Sequence, residues 1–473
     1  NMNEPGRHRD TESGRVAIPE ENSAGNPAGK SWYLSSFEAF EKSLNGEAAS
    51  GIHAIRRAAI ARFAELGFPT TRDEEWKYTD VSTLANVPFR TLLRTEAGAV
   101  TPAEIKPFLF GNSAPITLVW VNGHYSTQLS TVALVPGRAR GVKVESLSGA
   151  LKNDPSQMLG HLANSTRYHD DAFTALSTAF FQDGALVSIP DGVVLEDPIH
   201  LLFVSTEVGI PAVSHPRNLF LIGRNSQASI LESHRSLTPG SCFTNGVTEI
   251  LLDENAVLEY HQLQDERAGS FHIATTRVHQ KRSSNFTSHS ISLGGVLVRN
   301  NIVAVLDGEG AECTLNGLYL ATGKQHVDNH TVIDHATPHC NSHELYKGIL
   351  DGNSRGVFNG KIMVRKDAQK TDAKQTNKNL VLSNDASIDT KPQLEIFASD
   401  VKCTHGATIG QLDEEAVFYL RSRGIGADKA RDILIDAFAG DVVDRIKIPA
   451  VRDRLHEVIH HRLESGRKMR EPS

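Results

Sequence analysis

The sequence predicts a mainly β protein, with a parallel β-helix core between helical segments. Three observations carry this. First, short β-rich runs follow one another, among them I-T-L-V-W-V (116–121), A-L-V-S-I (185–189), H-L-L-F-V (200–204), N-L-F-L-I (218–222), T-E-I-L-L (248–252), I-V-A-V-L (302–306) and K-I-M-V (361–364). Each is bounded by Gly, Asn, Asp or Ser. Second, no amphipathic helix separates these runs, which argues against βαβ units. Third, polar corners recur: G-R-N-S-Q-A-S-I (223–230), L-D-E-N-A-V-L (252–258), L-D-G-E-G-A-E (306–312) and L-S-N-D-A-S-I (382–388), with L-D-G-N-S-R-G (350–356) as a looser copy. Their spacing of roughly 25–45 residues is that of stacked coils. A β-sandwich is the competing architecture, but the runs lack the strict alternation of a sheet with one wet face.

Composition narrows the function classes. The chain has 473 residues, 39% hydrophobic and 22% charged, enough apolar material for a large core. Its formal net charge of −7 lacks the basic footprint of a nucleic-acid binder. No apolar run is long enough to span a membrane. The 4 cysteines are too few for a disulfide scaffold, so free thiols in a reducing compartment are expected. The 21 histidines are the unusual count.

Residues 1–30 read as a disordered tail, rich in Pro and Gly and poor in large apolar side chains. They have no apolar central stretch like a secretory signal. Glu4, Asp10, Glu12, Glu20 and Glu21 disfavour a transit peptide, so a cytoplasmic protein is expected. Residues 31–112 read as a helical domain. Phe37, Phe40 and Leu44, then Ile52, Ile55, Ala59, Ile60, Phe63 and Leu66, recur at helical steps before Gly67 and Pro69. The segment 71–80 reads as a loop whose Trp76 and Tyr78 pack on that helical pair. The β core is assigned to 113–410 and a second helical domain to 411–473. In the latter, one helix covers 412–423. Asp428 can cap the next, with Ala430, Ile433, Leu434, Ala437 and Phe438 on one face and Gly440 closing it. A last helix is expected over about 441–463, with Pro449 as an early kink or a fresh start.

Few motifs carry chemistry. G-L-Y-L-A-T-G-K-Q (317–325) has one residue too many between its glycines for a phosphate loop, and Gln325 stands where Ser or Thr is needed. ATP hydrolysis by this chain is therefore not expected. Residues 325–346 hold His326, His330, His335, His339, Cys340 and His343, all ligand types for iron or zinc. They lack a C-x-x-C pair, and polar ladders spread over two coils are the favoured reading. In K-C-T-H-G-A-T-I-G (402–410), Cys403 and His405 leave one face if the piece is a strand. That is half a metal site, which a second chain could complete. Lys402 and a protonated His405 would then lower the Cys403 thiol pKa.

The runs E-E-W-K-Y-T-D (74–80), D-N-H-T-V-I-D-H (328–335), Y-K-G-I-L-D-G-N-S-R-G-V-F-N-G-K-I (346–362), T-D-A-K-Q-T-N-K-N-L-V-L-S (371–383), K-P-Q-L-E-I-F-A-S-D-V-K-C-T-H-G-A-T-I-G (391–410) and F-Y-L-R-S-R-G-I (418–425) resemble the SufB/SufD family of the SUF iron–sulfur cluster assembly machinery. The resemblance covers about residues 32–463, and K-C-T-H-G is closer to the SufD branch. It implies a right-handed parallel β-helix flanked by helical domains. It also implies a non-catalytic scaffold that pairs through its β-helix with a SufB-like paralogue, binds a SufC-like ATPase through its C-terminal helices and assists iron entry. The family's interface Cys and His fall on Cys403 and His405, which would hold iron or a nascent cluster transiently, with no cofactor bound tightly to the lone chain. The apolar faces of 412–463 would then be the ATPase dock, through Phe418, Leu420, Leu434 and Phe438, with Arg421 and Arg423 at the rim. Without its partner the chain is expected to form a homodimer. The rival functions are a β-helix polysaccharide lyase or hydrolase, which needs clustered carboxylates, and a stand-alone His/Cys metalloprotein using 326–343.

Overall fold

The computed structural model describes residues 27–44, 51–93, 100–133, 140–154, 160–162 and 171–468. Most of the expected tail, residues 1–26, lies outside the described residues, and the helix Pro27–Ser43 begins within the remainder. From Ala185 the chain passes back and forth between two sheets, each of 11 strands, winding a parallel β-solenoid of about eight coils. The strand Asn285–Ser292, for example, pairs in parallel with Val257–Asp265 before it and Glu312–Ala321 after it. Among the described residues antiparallel pairs occur only near the N-terminal end, where Ile116–Val121 meets His124–Tyr125 and Thr131–Val132, and Lys143–Ser146 meets Ala185–Ile189. The first sheet ends at Ser387–Ile396 and the second at Lys402–Gly410.

The corners explain why this sequence coils. Asn225, Asn255, Ser283, Gly310, His339 and Lys370 all adopt positive φ, between 53° and 73°. They occupy one corner of successive coils, and each amide donates to a carbonyl of the next corner, as Asn255 N to Arg282 O and His339 N to Gln369 O. Asn and Gly tolerate this backbone best. The residue after each is small and buried: Ser226, Ala256, Ser284, Ala311, Cys340 and Thr371. Side-chain ladders repeat with the coil, 27 residues apart from Asn285 to Glu312 and 31 apart from Glu344 to Gln375.

The inside of the solenoid is divided. Beside these corners it is apolar, with Ile230, Tyr260, Phe286, Leu315 and Phe358 stacked in one cluster. The other half is polar. Glu232 there accepts from Tyr260 Oη (2.6 Å) and Asn218 Nδ2 (3.2 Å), and Gln262, Asn300 and Asn329 are buried further along; towards the open end the column of Tyr260 and Leu315 also turns polar, at Glu344 and Gln375.

Helices cover the two outer faces. On the first sheet, Phe37, Phe63 and Trp76 of the N-terminal segment join Phe173 and Phe180 over Val213, Phe243 and Phe271. Two helices, Leu147–Asn153 and Ala172–Phe180, interrupt the stretch assigned to the β core. Asp171 caps the second of them, accepting from Phe173 N and Thr174 N, and all nine of its residues are buried. The loop 71–80 docks differently from expectation. Trp76 packs on Phe173 and lies 3.7 Å from the Arg299 guanidinium, so it contacts the sheet as well as helices. Thr79 donates to Asp328 Oδ2 at 2.6 Å.

On the second sheet, Ile435, Ala439, Val442, Val451 and Leu455 cover Leu263, Ile291, Leu318 and Ile349. Three details of these helices depart from the sequence reading. The helix Ala427–Val443 is capped by Gly426, leaving Asp428 in its first turn, and it runs through Gly440. Its sheet-facing side is Ala430, Ile435, Ala439 and Val442, which turns Ile433 outward. Pro449 is the fresh start that was one of its two expected roles: it begins the helix Pro449–Lys468, where its missing N–H costs nothing.

Burial holds several histidines neutral. His200, His215 and His261 are pushed down to about 3, and His289 and His335 to about 4. The unfolded chain therefore binds more protons than the folded one below about pH 6.5, so stability falls as pH drops from there towards 4. Each such histidine contributes on the order of 2 kcal/mol between pH 6.5 and 5. Glu344, pushed up to about 7 by burial, acts in the opposite sense and is outnumbered. The urea midpoint is expected to drop clearly between pH 7.5 and 5; a flat profile would mean the histidines are hydrated in solution.

Candidate functional site

Among the described residues the strand Lys402–Gly410 pairs on one side only, with Asp372–Val381, which leaves its other edge open. Ile409 is 55% exposed on it, and beside it Phe397 is 66% and Ile396 40% exposed. An unpaired backbone edge with apolar side chains invites another strand.

Cys403 and His405 lie on this edge strand, in register with Ala373 and Gln375. Their neighbours in the preceding strand point inward, so both residues continue the inner face to the open end. His405 is exposed. Cys403 is half-buried against Ala373, Leu394, Ala398 and Val401. Burial, followed by the nearby Asp372 carboxylate, raises its pKa. This corrects the expectation of a thiol activated by Lys402 and His405: Lys402 is exposed and its charge is spent in water, while the thiol sits among aliphatic groups. In the lone chain Cys403 is a protonated thiol.

The denser His/Cys stretch does not form a site. His339 is a left-handed corner and Cys340 a corner filler, its Sγ donating to Gly308 O at 3.4 Å. His335 Nε2 pairs with Ser342 Oγ at 2.9 Å. His330 lies 3.0 Å from Asp328 and 3.4 Å from Glu75. His326 meets Thr79 at 2.9 Å, and His343 is exposed. Among the described residues no group of three or more His, Cys, Asp or Glu is arranged to hold a metal ion.

The C-terminal helices form a second surface. Phe418 is 72% and Tyr419 54% exposed on the helix Glu414–Ser422, and the Arg423 guanidinium lies 4.3 Å from the Tyr419 ring. A groove of about 480 Å³ is lined by Phe418, Arg421, Ser422, Ile425 and Ala427. Leu420 is half-buried at its side. Leu434 and Phe438 are not part of this patch, because they pack towards the second sheet. Lys347 Nζ lies 4.3 Å from the Phe438 ring, donates to Phe438 O at 2.9 Å and pairs with Asp441 at 2.8 Å. Ile433, expected on the apolar face of its helix, is exposed at 38%, whereas exposed Tyr419 was missed in the sequence, as were Ile396, Phe397 and Ile409. Their apolar character was legible, but not the missing cover.

Two family models match consecutive stretches of the chain. Residues 28–201 match the SufBD protein N-terminal region, and residues 203–438 match the SufBD core domain of the SUF system for FeS cluster assembly. The chain belongs to the SufBD family. An iron–sulfur cluster assembly SufBD family protein of Synechocystis sp. is 36% identical over 414 residues, covering 85% of this chain and 89% of the relative. The iron–sulfur cluster assembly protein SufD of Escherichia coli is 32% identical over 409 residues, covering 86% and 92%. The chloroplastic protein ABCI7 of Arabidopsis thaliana is 28% identical over 459 residues, covering 94% and 93%. In this SufBD family chain the core match runs through the open-ended strand and into the helix that carries Ile433.

Proposed function

We propose that this SufBD family chain is a scaffold subunit for iron–sulfur cluster assembly, pairing through its open strand with a SufB-like paralogue. The carrying observation is the unpaired edge strand Lys402–Gly410, which presents Cys403 and His405 beside exposed Ile409 and Phe397. Two ligands do not close a tetrahedral site, so iron or a nascent cluster is held only where a partner adds further ligands. The Phe418–Tyr419 patch and its groove suit a SufC-like ATPase, since exposed aromatics beside arginine are the usual anchors of an interface. Nucleotide hydrolysis is assigned to that partner, and this chain is read as non-catalytic. A cytoplasmic compartment fits the free thiols; among the described residues no helix is long and apolar enough to cross a membrane.

The test is capture from the native cell. The tagged chain should bring down a SufB-like and a SufC-like protein; recovery of neither overturns the reading. Left alone, the chain should close its open edge with a second copy, the simplest isologous solution. Light scattering should then show a dimer at micromolar concentration, and Ile409→Lys should return it to a monomer. A wild-type monomer would remove the edge as a pairing surface.

A further inference from the structure

The bore ends in a polar ladder that the scaffold reading does not use. Glu344, Gln375 and His405 occupy one register position on three successive strands of the second sheet. Strands lie about 4.8 Å apart, so Glu344 sits roughly 10 Å behind His405 along the axis. Glu344 is 3% and Gln375 2% exposed. Gln375 Nε2 donates to Glu344 Oε2 at 2.7 Å, while Glu344 Oε1 and Gln375 Oε1 have no hydrogen-bond partner. Deeper in the same bore, Gln262 Oε1, Ser288 Oγ and Asn329 Nδ2 are equally unpartnered. Buried polar atoms of this kind are normally satisfied by internal water.

We propose that Glu344 is a buried proton-exchange group for the open end, reached through water held between Gln375 and Glu344. A cysteine or histidine that becomes a metal ligand must lose its proton. Once a second solenoid covers the end, bulk water can no longer take it. The S–H or N–H bond at the end breaks, the proton crosses the bound water, and an O–H bond forms at Glu344 Oε1. No electrons move, and the carboxylate becomes neutral. Reversal returns the proton when the end is vacated. This role rests on the reading that a partner covers the open strand.

The surroundings of Glu344 suit exchange near neutrality. Burial pushes its pKa up to about 7, against the lowering influence of the nearby Thr331 hydroxyl and of the hydrogen bond from Gln375. The titratable groups that feel its charge are Cys313 and Tyr346, both buried and both raised by burial and by the Glu344 carboxylate. Leu315 and Gln375 flank it in register, and Thr331 faces it from the first sheet. None of these is a cation, so nothing pins the carboxylate in its charged form.

Infrared difference spectroscopy on the full chain, without iron or partner, tests this. One protonated-carboxyl band should titrate between about pH 6 and 8 and vanish in Glu344→Gln. Glu344→Asp should keep a titrating carboxyl, which separates loss of the group from loss of the fold. Gln375→Leu should keep the band but slow its exchange in deuterated water at least tenfold. A bore without such a band, a band that survives Glu344→Gln, or unchanged exchange in Gln375→Leu overturns the proposal. Because no partner is present, these outcomes are independent of the light-scattering and capture results that test the scaffold reading.

Discussion

Phe418→Asp is expected to weaken binding of the SufC-like ATPase a hundredfold or more while leaving the melting temperature of the isolated chain unchanged. Phe418 is 72% exposed, so it contributes little to the fold and is free to anchor a partner. Losing a central aromatic anchor typically costs about 2–4 kcal/mol, and a carboxylate in its pocket adds a desolvation cost. Phe438→Asp is the contrast. Its ring packs towards the second sheet under the Lys347 ammonium, so the substitution should lower the melting temperature as well. Arg421→Ala, at the groove, should slow association more than it speeds dissociation. Calorimetric titration of the ATPase against the three variants separates these cases. Wild-type affinity in Phe418→Asp would move the dock elsewhere.

His405→Ala should leave the chain folded and assembled yet reduce the iron or cluster content of the complex by at least tenfold. His405 is exposed, so the loss falls mainly on ligation. Cys403→Ser should act in the same direction and somewhat more mildly if the partner chain handles sulfur. The raised Cys403 pKa adds a pH signature. In the lone chain the thiol should react slowly with iodoacetamide at pH 7, because only the thiolate attacks. Binding of metal or partner must supply the energy of deprotonation, so cluster loading should rise with pH through the neutral range. If both variants load clusters at the wild-type rate, the pair is structural packing at the end of a sheet.

The coil architecture was legible because its determinants are local. Asn225, Asn255, Gly310 and the small residues after them specify left-handed corners that any reader of turn chemistry recognises. The one-face relation of Cys403 and His405 was equally legible, since a strand alternates strictly. The helix Ala172–Phe180 was not. At nine residues it is short, and because it is buried on every side even its hydroxyl face, Thr174, Ser177 and Thr178, is not the wet stripe by which a surface helix is recognised. The face of Ala427–Val443 was also misjudged, because Ile433, Leu434, Ile435 and Phe438 are all apolar and periodicity does not say which of them a sheet will cover. The spread of His326, His330, His335 and His343 over separate contacts depended on the coil length, which fixes what each side chain meets one turn away. The Cys403 thiol shows the same division. Its position followed from spacing, but its pKa is set by aliphatic neighbours from other coils and by Asp372, and desolvation is a property of the packed surroundings that no local pattern encodes.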